Sequence, residues 1–418
     1  MSKPTVANTN DVDMIELTDW LAENNFARTD IAWCVKRLSA NDTLATSSHQ
    51  SGIYMPRKFM LDIFRSIEYS SDRNPDVTFD LYIDSHPQHH KARAVYYKQG
   101  SRNEVRITRL GGADSPLSDV ESTGALSVFS FTRSHGGSVI TCHVWVCTSQ
   151  LDEDVVQNAI GWVEHGMFRV AKFDELAIVS DGGLDYKLSH ENIPKKWFDE
   201  FPSADDVIQK VIELCPFDTL DLDRLLIHRR NCEYELFRVL EEDSTLPIVQ
   251  TGFETVEEFI KFAHKTLQRR RARSGRSLEL HVRHMLREAG LEESKDFTYQ
   301  AETENGKRSD FLFPSKAHYD NISFPSDNLR MLAVMTTCRE RWRTIISAAK
   351  RISVKHLLTL QEGVSVKQYS EMKSSGVHLV VPAELIASYP PCLRAELTTI
   401  ESFIGDVRIL KSKIDCSS

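Results

Sequence analysis

Residues 331–338, Met-Leu-Ala-Val-Met-Thr-Thr-Cys, decide the fold of the second half of this chain. The first five are apolar without interruption, which is typical of a strand buried on both faces of a sheet. Residues 309–313, Ser-Asp-Phe-Leu-Phe, form a second apolar segment that carries a carboxylate, Asp310, near its beginning. The two segments predict a buried sheet with one acidic side chain among its strands.

The same alternation continues on both sides of these strands. Upstream, residues 277–289 place apolar side chains at helical spacing after Ser277, and Gly290 follows as a stop signal. Downstream, we predict two helices and two strands, at residues 342–349, 365–375, 356–360 and 377–381. Apolar strands that alternate with amphipathic helices predict an α/β/α domain, in which helices cover both faces of the sheet.

The first half of the chain has a different character. Turn clusters separate five short segments rich in β-branched and aromatic residues, at 77–84, 92–98, 105–110, 126–132 and 139–147. Strands at this spacing predict an all-β barrel or sandwich. Residues 172–203 lose periodicity and contain several glycines and prolines, which predicts a linker. The predicted division is an N-terminal extension (1–30), a β domain (31–171), the linker (172–203) and the α/β/α domain (204–418).

Composition describes an ordinary globular protein with an acidic balance. Of 418 residues, 41% are hydrophobic and 27% are charged, and the net charge is −9, which by itself argues against a nucleic-acid partner. Basic residues are nevertheless concentrated at 265–276, a segment without a single acid. There is no apolar leader and no apolar run of membrane-spanning length, and the eight cysteines are scattered without a CxxC pair. We therefore expect a cytoplasmic protein with reduced thiols and no membrane contact.

The position of Asp310 indicates metal-dependent chemistry. An Asp at a strand start, followed about 25 residues later by the end of a second strand, is the layout of nucleases that hold magnesium beside a phosphate. Arg339, Glu340 and Arg341 come soon after the second strand. Arginine can bond guanine bidentately and a carboxylate can accept from cytosine, so the triplet can read C·G pairs. The alternative is a charged helix N-terminus, which Glu340 favours and the two arginines do not.

Several segments of the chain resemble EcoRII-type restriction endonucleases. They are Lys-Arg-Leu-Ser-Ala-Asn-Asp-Thr (36–43), Arg-Ile-Thr-Arg (106–109), Ser-Leu-Glu-Leu-His (277–281), Asp-Phe-Leu-Phe-Pro-Ser (310–315), Asn-Leu-Arg-Met-Leu-Ala-Val (328–334) and Leu-Gln-Glu-Gly-Val-Ser (360–365). The similarity extends from about residue 35 to residue 406, nearly the whole chain.

The resemblance implies an α+β, two-domain architecture. An N-terminal DNA-binding β-pseudobarrel would hold an effector copy of the recognition site, and a restriction-endonuclease-like domain of the PD-(D/E)xK type would cut the substrate copy. The enzyme would be a bacterial homodimer that cleaves double-stranded CCWGG-like DNA with Mg²⁺. A cognate cytosine methyltransferase is implied as its genetic partner.

The resemblance also assigns roles to residues of this chain. Asp310 and Glu279 correspond to the metal-binding carboxylates, and Arg339, Glu340 and Arg341 to the base readers. Arg230 and Tyr234 correspond to a pocket for an extruded base, although phosphate contact is the alternative for Arg230. The residues that correspond to effector DNA contacts are Lys36, Arg37, His49, Arg102, Glu104 and Arg106.

The catalytic positions depart from the family pattern. Met335 stands at the position of the family's lysine, and a thioether has neither a charge nor a proton donor. Ala348 stands at the position of the family's glutamate and offers no ligand. Lys316 and Lys350 are candidate substitutes, but Lys316 lies in a predicted loop after Pro314, and Lys350 lies about 200° round the predicted helix from residue 348. We therefore expect weak cleavage.

Three functions stay open at this point. The chain could be an active nuclease with unusual catalytic groups, or a pseudo-nuclease that binds CC/GG sites without cutting. The third alternative is a tyrosine recombinase or topoisomerase-like enzyme that uses Tyr319 with Arg330 and Arg341. Only this third enzyme would form a covalent adduct with nicked DNA.

Overall fold

The computed structural model describes most of the chain. The described residues are 16–24, 28–45, 52–98, 103–134, 140–160, 163, 166–173, 179–181, 193–216, 221–338 and 341–415. None of the helices in these ranges is long and apolar enough to cross a membrane.

The first half forms one curled, mostly antiparallel sheet with the strand order β2-β5-β4-β3-β7-β6-β1-β8-β9. The strands are β1 (Ile31–Arg37), β2 (Ile53–Met55), β3 (Asp76–Ile83), β4 (Gln88–Tyr97), β5 (Glu104–Thr108), β6 (Leu126–Arg133), β7 (Ile140–Val146), β8 (Phe168–Ala171) and β9 (Val179–Asp181). The five strands predicted in this half are confirmed as β3 to β7.

Both faces of this sheet are covered near its centre. On β1, Ala32 and Cys34 pack into the core of the curled sheet, whereas Ile31, Trp33 and Val35 pack into a second cluster on the other face. The described helices of this half are α1 (Leu17–Glu23), α2 (Arg57–Ile63), α3 (Arg65–Tyr69) and α4 (Gln150–Ile160). Trp20 of α1 is buried against Trp145, with 5.6 Å between ring centroids, so the predicted N-terminal extension contributes to this domain.

The second half begins with four helices and continues with an α/β alternation. Its helices are α5 (Lys196–Asp199), α6 (Ala204–Leu214), α7 (Leu222–Thr251), α8 (Val256–Glu288), α9 (Lys316–Asp320), α10 (Val366–Ser374), α11 (Ala383–Ile386) and α12 (Ile400–Asp415). Its strands are β10 (Thr298–Glu302), β11 (Arg308–Phe313), β12 (Arg330–Met335), β13 (Lys355–Thr359) and β14 (Val377–Val380), which form a sheet in that order.

This five-stranded sheet is antiparallel on one side and parallel on the other. β10, β11 and β12 pair antiparallel, whereas β12, β13 and β14 pair parallel. One face packs against α7, α8 and α12 through residues such as Leu226, Val282 and Phe403, and the other face packs against Tyr319, Trp342 and Tyr369. The predicted α/β/α layering is confirmed, because the apolar strands need cover on both faces.

The predicted helix at 342–349 is wrong. Only Arg341–Ile345 form a short 3₁₀ helix, and Ala349 has a left-handed backbone with φ 47°. The buried ammonium of Lys355 donates to the carbonyls of Ala349 (3.2 Å) and Ile352 (2.7 Å). These carbonyls are turned toward Lys355 at the end of the segment, so the periodicity of the apolar residues does not produce a continuous helix.

Two further boundaries differ from the prediction. Ser277 lies inside α8, which begins at Val256, because the basic segment 265–276 continues the helix instead of preceding it. Strand β9 pairs with β8 of the first sheet, so part of the predicted linker belongs to that sheet.

Candidate active site

Two carboxylates from different elements meet at the second sheet. Glu279 lies on α8 and Asp310 lies on β11. The side-chain amide of Gln300, on the neighbouring strand β10, joins them: its Nε2 donates to Glu279 Oε2 (2.6 Å) and to Asp310 Oδ1 (3.1 Å). The structure therefore brings together Glu279 and Asp310, the two predicted metal-binding carboxylates, through a residue that the sequence did not single out.

The electrostatics of the pair reflect partial burial. Burial and the nearby charge of Asp310 raise the pKa of Glu279 to about 7. Burial also raises the pKa of Asp310, although the Val334 N–H, the Gln300 amide and the charge of Arg341 act against this. The Tyr299 hydroxyl donates to Glu279 Oε2 over 3.1 Å. When both are ionised, the two partly buried carboxylates repel each other. A cation between them would remove this repulsion.

Met335 and Ala348 supply no metal-binding or proton-transferring group. Met335 ends β12 directly after Val334, whose backbone N–H donates to Asp310, and its half-buried side chain packs against the core of that face. Ala348 is buried with 4% of its surface exposed. Neither residue has a side-chain group that can bind or orient a water.

Neither lysine considered as a substitute has a described bond to Glu279 or Asp310. The Lys316 ammonium pairs with Asp320 at 2.7 Å. Lys350 is exposed, and its backbone N–H donates to Glu304. Lys307, which the sequence analysis did not weigh, donates to the hydroxyl of Ser347 beside Ala348. Within the described ranges, no group of three or more His, Cys, Asp or Glu side chains could hold a metal ion.

Of the predicted base readers, the structure describes one. Arg341 begins the 3₁₀ helix after β12 and is exposed. Its positive charge opposes the rise that burial causes in the pKa of Asp310. Arg339 and Glu340 lie outside the described residues. Arg341 is therefore a solvent-facing cation near the carboxylate pair, a place where it could contact DNA.

Three of the six predicted effector residues line one cavity at the first domain. Lys36 and Arg106 are nearly buried: the Lys36 ammonium donates to Asp42 (2.7 Å), and the Arg106 guanidinium donates to the Gly52 carbonyl (2.9 Å). Arg106 also pairs with Glu104 at 3.1 Å. Lys36, Arg37 and Arg106 line a cavity of about 270 Å³. His49 and Arg102 lie outside the described residues.

Arg37 has a structural role in this conformation. Its guanidinium is buried and donates to Glu153 (2.8 Å), to the Gly124 carbonyl (3.1 Å) and to the Val163 carbonyl (3.0 Å). A buried arginine with this many protein partners contributes to folding, because its charge would be costly without them. Its predicted contact with DNA would need these bonds to change.

The second domain closes one side of this cavity. Glu362 and Ser388 complete its lining, and burial raises the pKa of Glu362 although the charge of Lys36 acts against this. Nearby, the Ser365 hydroxyl donates to Glu121 of the first domain (2.7 Å). The loop that follows β13 thus holds the two domains together at the predicted effector site.

Arg230 and Tyr234 are buried in this structure. The Arg230 guanidinium donates to Glu233 (2.7 Å), and Glu233 also bonds Ser277 and His281, so the charge is neutralised inside the protein. Tyr234 is 4% exposed and lies 5.4 Å from the Arg169 guanidinium of the first domain. The geometry gives no support to a base pocket at these residues, and this role stays a prediction.

The tyrosine that the third alternative required is also buried. The Tyr319 hydroxyl donates to Glu304, and burial raises the pKa of Tyr319 to about 12. Arg330 instead pairs with Asp406 at 2.8 Å. A phenol that is shielded and held by a carboxylate is poorly placed to attack a phosphate.

One carboxylate on the sheet and one on α8 thus meet near an exposed arginine, and Lys36, Arg37 and Arg106 line a separate cavity at the β domain. Comparison with known proteins gives the family. The model for the EcoRII C-terminal domain matches residues 237–404, and the model for the N-terminal domain of restriction endonuclease EcoRII matches residues 27–175. The chain is 42% identical over 390 residues to the type II restriction enzyme EcoRII of Escherichia coli, across 91% of this chain and 95% of that protein. The chain belongs to the EcoRII family of restriction endonucleases, site-specific deoxyribonucleases that bind DNA.

Solved structures show more distant likeness. Metal-depleted Ecl18kI in complex with uncleaved, modified DNA matches with a TM-score of 0.43 and 18% identity over 52% of this chain and 82% of that chain. The B3 domain of the UbaLAI restriction endonuclease with cognate DNA matches with a TM-score of 0.25 and 18% identity over 37% of this chain and 97% of that chain.

Proposed function

We propose that this chain binds CCWGG-like duplex DNA sequence-specifically and, in its present sequence, cleaves it weakly with Mg²⁺. One observation carries the proposal. Glu279 and Asp310 are kept together by one amide, whereas the two positions that should hold a lysine and a second glutamate hold Met335 and Ala348. The site therefore keeps its cation-binding acids and has lost its water-activating group.

The donor set fits a hard divalent cation. Enzymes of this class use a divalent metal ion, and carboxylate oxygens are the ligands that Mg²⁺ prefers. Glu279 and Asp310 would hold the ion, which neutralises charge at the scissile phosphate. The Val334 N–H fixes the orientation of Asp310, and the Tyr299 hydroxyl fixes Glu279. Arg341 would contact a base edge or phosphate next to this pair.

The proposal includes the assembly and setting of the family. Two copies of the chain would form a homodimer that binds two copies of the site, one at the Lys36 and Arg106 cavity and one at the carboxylate pair. A cognate cytosine methyltransferase would protect the host sites in the bacterial cytoplasm. Extrusion of the central base pair is part of the same proposal, and 2-aminopurine at that position should become brighter on binding.

The experiment that tests the proposal measures binding and cutting on the same DNA. Duplexes with CCWGG and scrambled duplexes are compared by gel shift in Ca²⁺, and plasmids with several sites are incubated with Mg²⁺. We expect specific binding with very slow cleavage. Rapid cleavage would show that another group replaces Met335 and Ala348, and equal binding to scrambled DNA would refute sequence-specific recognition.

The pseudo-nuclease is the limiting case of this proposal. It predicts that cleavage stays at zero during long incubation at high protein concentration. If the chain cleaves slowly and Glu279→Gln or Asp310→Asn abolishes this cleavage, the active site retains weak activity. A contaminating nuclease would not respond to these substitutions.

A further inference from the structure

The side chain of Gln300 occupies the place between the two carboxylates. Its Nε2 lies 2.6 Å from Glu279 Oε2 and 3.1 Å from Asp310 Oδ1. One nitrogen therefore donates to a carboxylate of α8 and to a carboxylate of β11. A positively polarised NH₂ group relieves the repulsion between them, which is what a cation at the same place would do. The position of this amide is therefore the position at which the carboxylates converge.

The backbone at Gln300 is in an unfavourable conformation. Its φ is 51°, although the residue lies within β10 and is not a glycine. Its neighbours pair normally with β11, Tyr299 with Phe311 and Ala301 with Ser309, so the departure is confined to one residue. Such conformations are unfavourable and are concentrated at functional sites. The strand is distorted where its side chain is aimed at the acids.

We propose that Gln300 is the third side-chain ligand of the divalent cation held by Glu279 and Asp310. An amide has an oxygen and a nitrogen of nearly equal size, and a half-turn about its last torsion exchanges them. With a cation between the acids, the Oε1 atom replaces the NH₂ group, and amide oxygens are hard ligands suited to Mg²⁺ or Mn²⁺. Gln300 thereby contributes a third oxygen at a centre where Ala348 contributes none.

This inference rests on the proposed cation site, and the experiment separates the two. Mn²⁺ binding to the full chain without DNA is measured by electron paramagnetic resonance and by titration calorimetry. The variants are Gln300→Met, which keeps the length and removes the oxygen, Gln300→Glu, which replaces the amide with a stronger ligand, and Asp310→Asn. Thermal melting without metal checks that each variant folds.

The expected order of Mn²⁺ affinity is Gln300→Glu, then the parent chain, then Gln300→Met, with a loss of at least about tenfold in the last. Asp310→Asn should lose Mn²⁺ binding. If Gln300→Met binds Mn²⁺ like the parent while Asp310→Asn does not, Gln300 is not a ligand and the carboxylate site stands. If Asp310→Asn binds Mn²⁺ like the parent, the proposed site itself is wrong. If Gln300→Met does not fold, weaker binding by Gln300→Glu than by the parent overturns the inference.

Discussion

Asp310 Oδ2 accepts a hydrogen bond of 2.8 Å from the backbone N–H of Val334. The bond fastens the carboxylate of β11 to β12 at the residue directly before Met335. A side chain at position 335 therefore starts one residue after the backbone N–H that holds Asp310.

The double change Met335→Lys with Ala348→Glu should restore Mg²⁺-dependent double-strand cleavage. The lysine would activate water and the glutamate would complete the ligand set. Because catalytic groups that act as a unit are strongly non-additive, restoring only one of them recovers little activity. Plasmid linearisation measures the result. Each single change should yield much less than the double change. A double variant that binds CCWGG DNA but stays inactive would show that the surroundings of Asp310 have changed as well.

Arg341→Ala should reduce the preference for CCWGG over scrambled DNA. Arg341 is exposed beside the carboxylate pair, and a bidentate base contact contributes about 1–3 kcal/mol of discrimination. Arg343→Ala is the matched control, because Arg343 lies in the same 3₁₀ helix but pairs with Glu371 at 2.9 Å. Fluorescence anisotropy with both duplexes measures the effect. Equal losses in the two variants would assign Arg341 to general charge attraction.

His356 should make the second domain sensitive to acid. Burial, with the charges of His378 and Arg330, lowers the pKa of His356 from 6.5 to about 4. The unfolded chain therefore binds the proton more tightly, and stability is lost as the pH falls from about 6.5 to about 4. The loss approaches about 3 kcal/mol. Urea unfolding at pH 7 and pH 4.5 should show a smaller acid loss in His356→Leu than in the parent.

The control for this prediction is His264→Leu, because His264 is exposed on α8. Its acid loss should equal that of the parent. If His356→Leu also keeps the full acid loss, protonation of His356 does not contribute to acid unfolding.

Gly363→Ala should separate the two domains. Gly363 has φ 123°, and a Cβ added there would lie 2.8 Å from the Cβ of Ala40 in the first domain. Gly252→Ala is the control, because Gly252 also has a positive φ but its Cβ would meet open space. Small-angle X-ray scattering should show a larger radius of gyration for Gly363→Ala alone. Equal curves for the two variants would mean that the interface at Gly363 can accommodate a methyl group.

The sequence predicted the features that have a local signal. Five of the nine described β strands of the first half, and the strands β11 and β12 beside Asp310, follow from runs of apolar residues, whose burial depends on spacing along the chain. The same spacing failed at residues 342–349, because the carbonyls of Ala349 and Ile352 bond a lysine from β13. Apolar periodicity reports which residues are buried and does not report such a competing partner.

The sequence by itself determined the two-domain organisation, the family, and the presence of Asp310 and Glu279 without the lysine and glutamate that usually accompany them. Only the tertiary structure decided that Gln300 lies between those acids, that Glu362 of the second domain lines the cavity of Lys36, and that Arg230 is enclosed by Glu233. Glu362 and Lys36 are more than 300 positions apart in the sequence. Contacts of this kind depend on how whole elements pack against each other, and a local pattern of residue types carries no information about that packing.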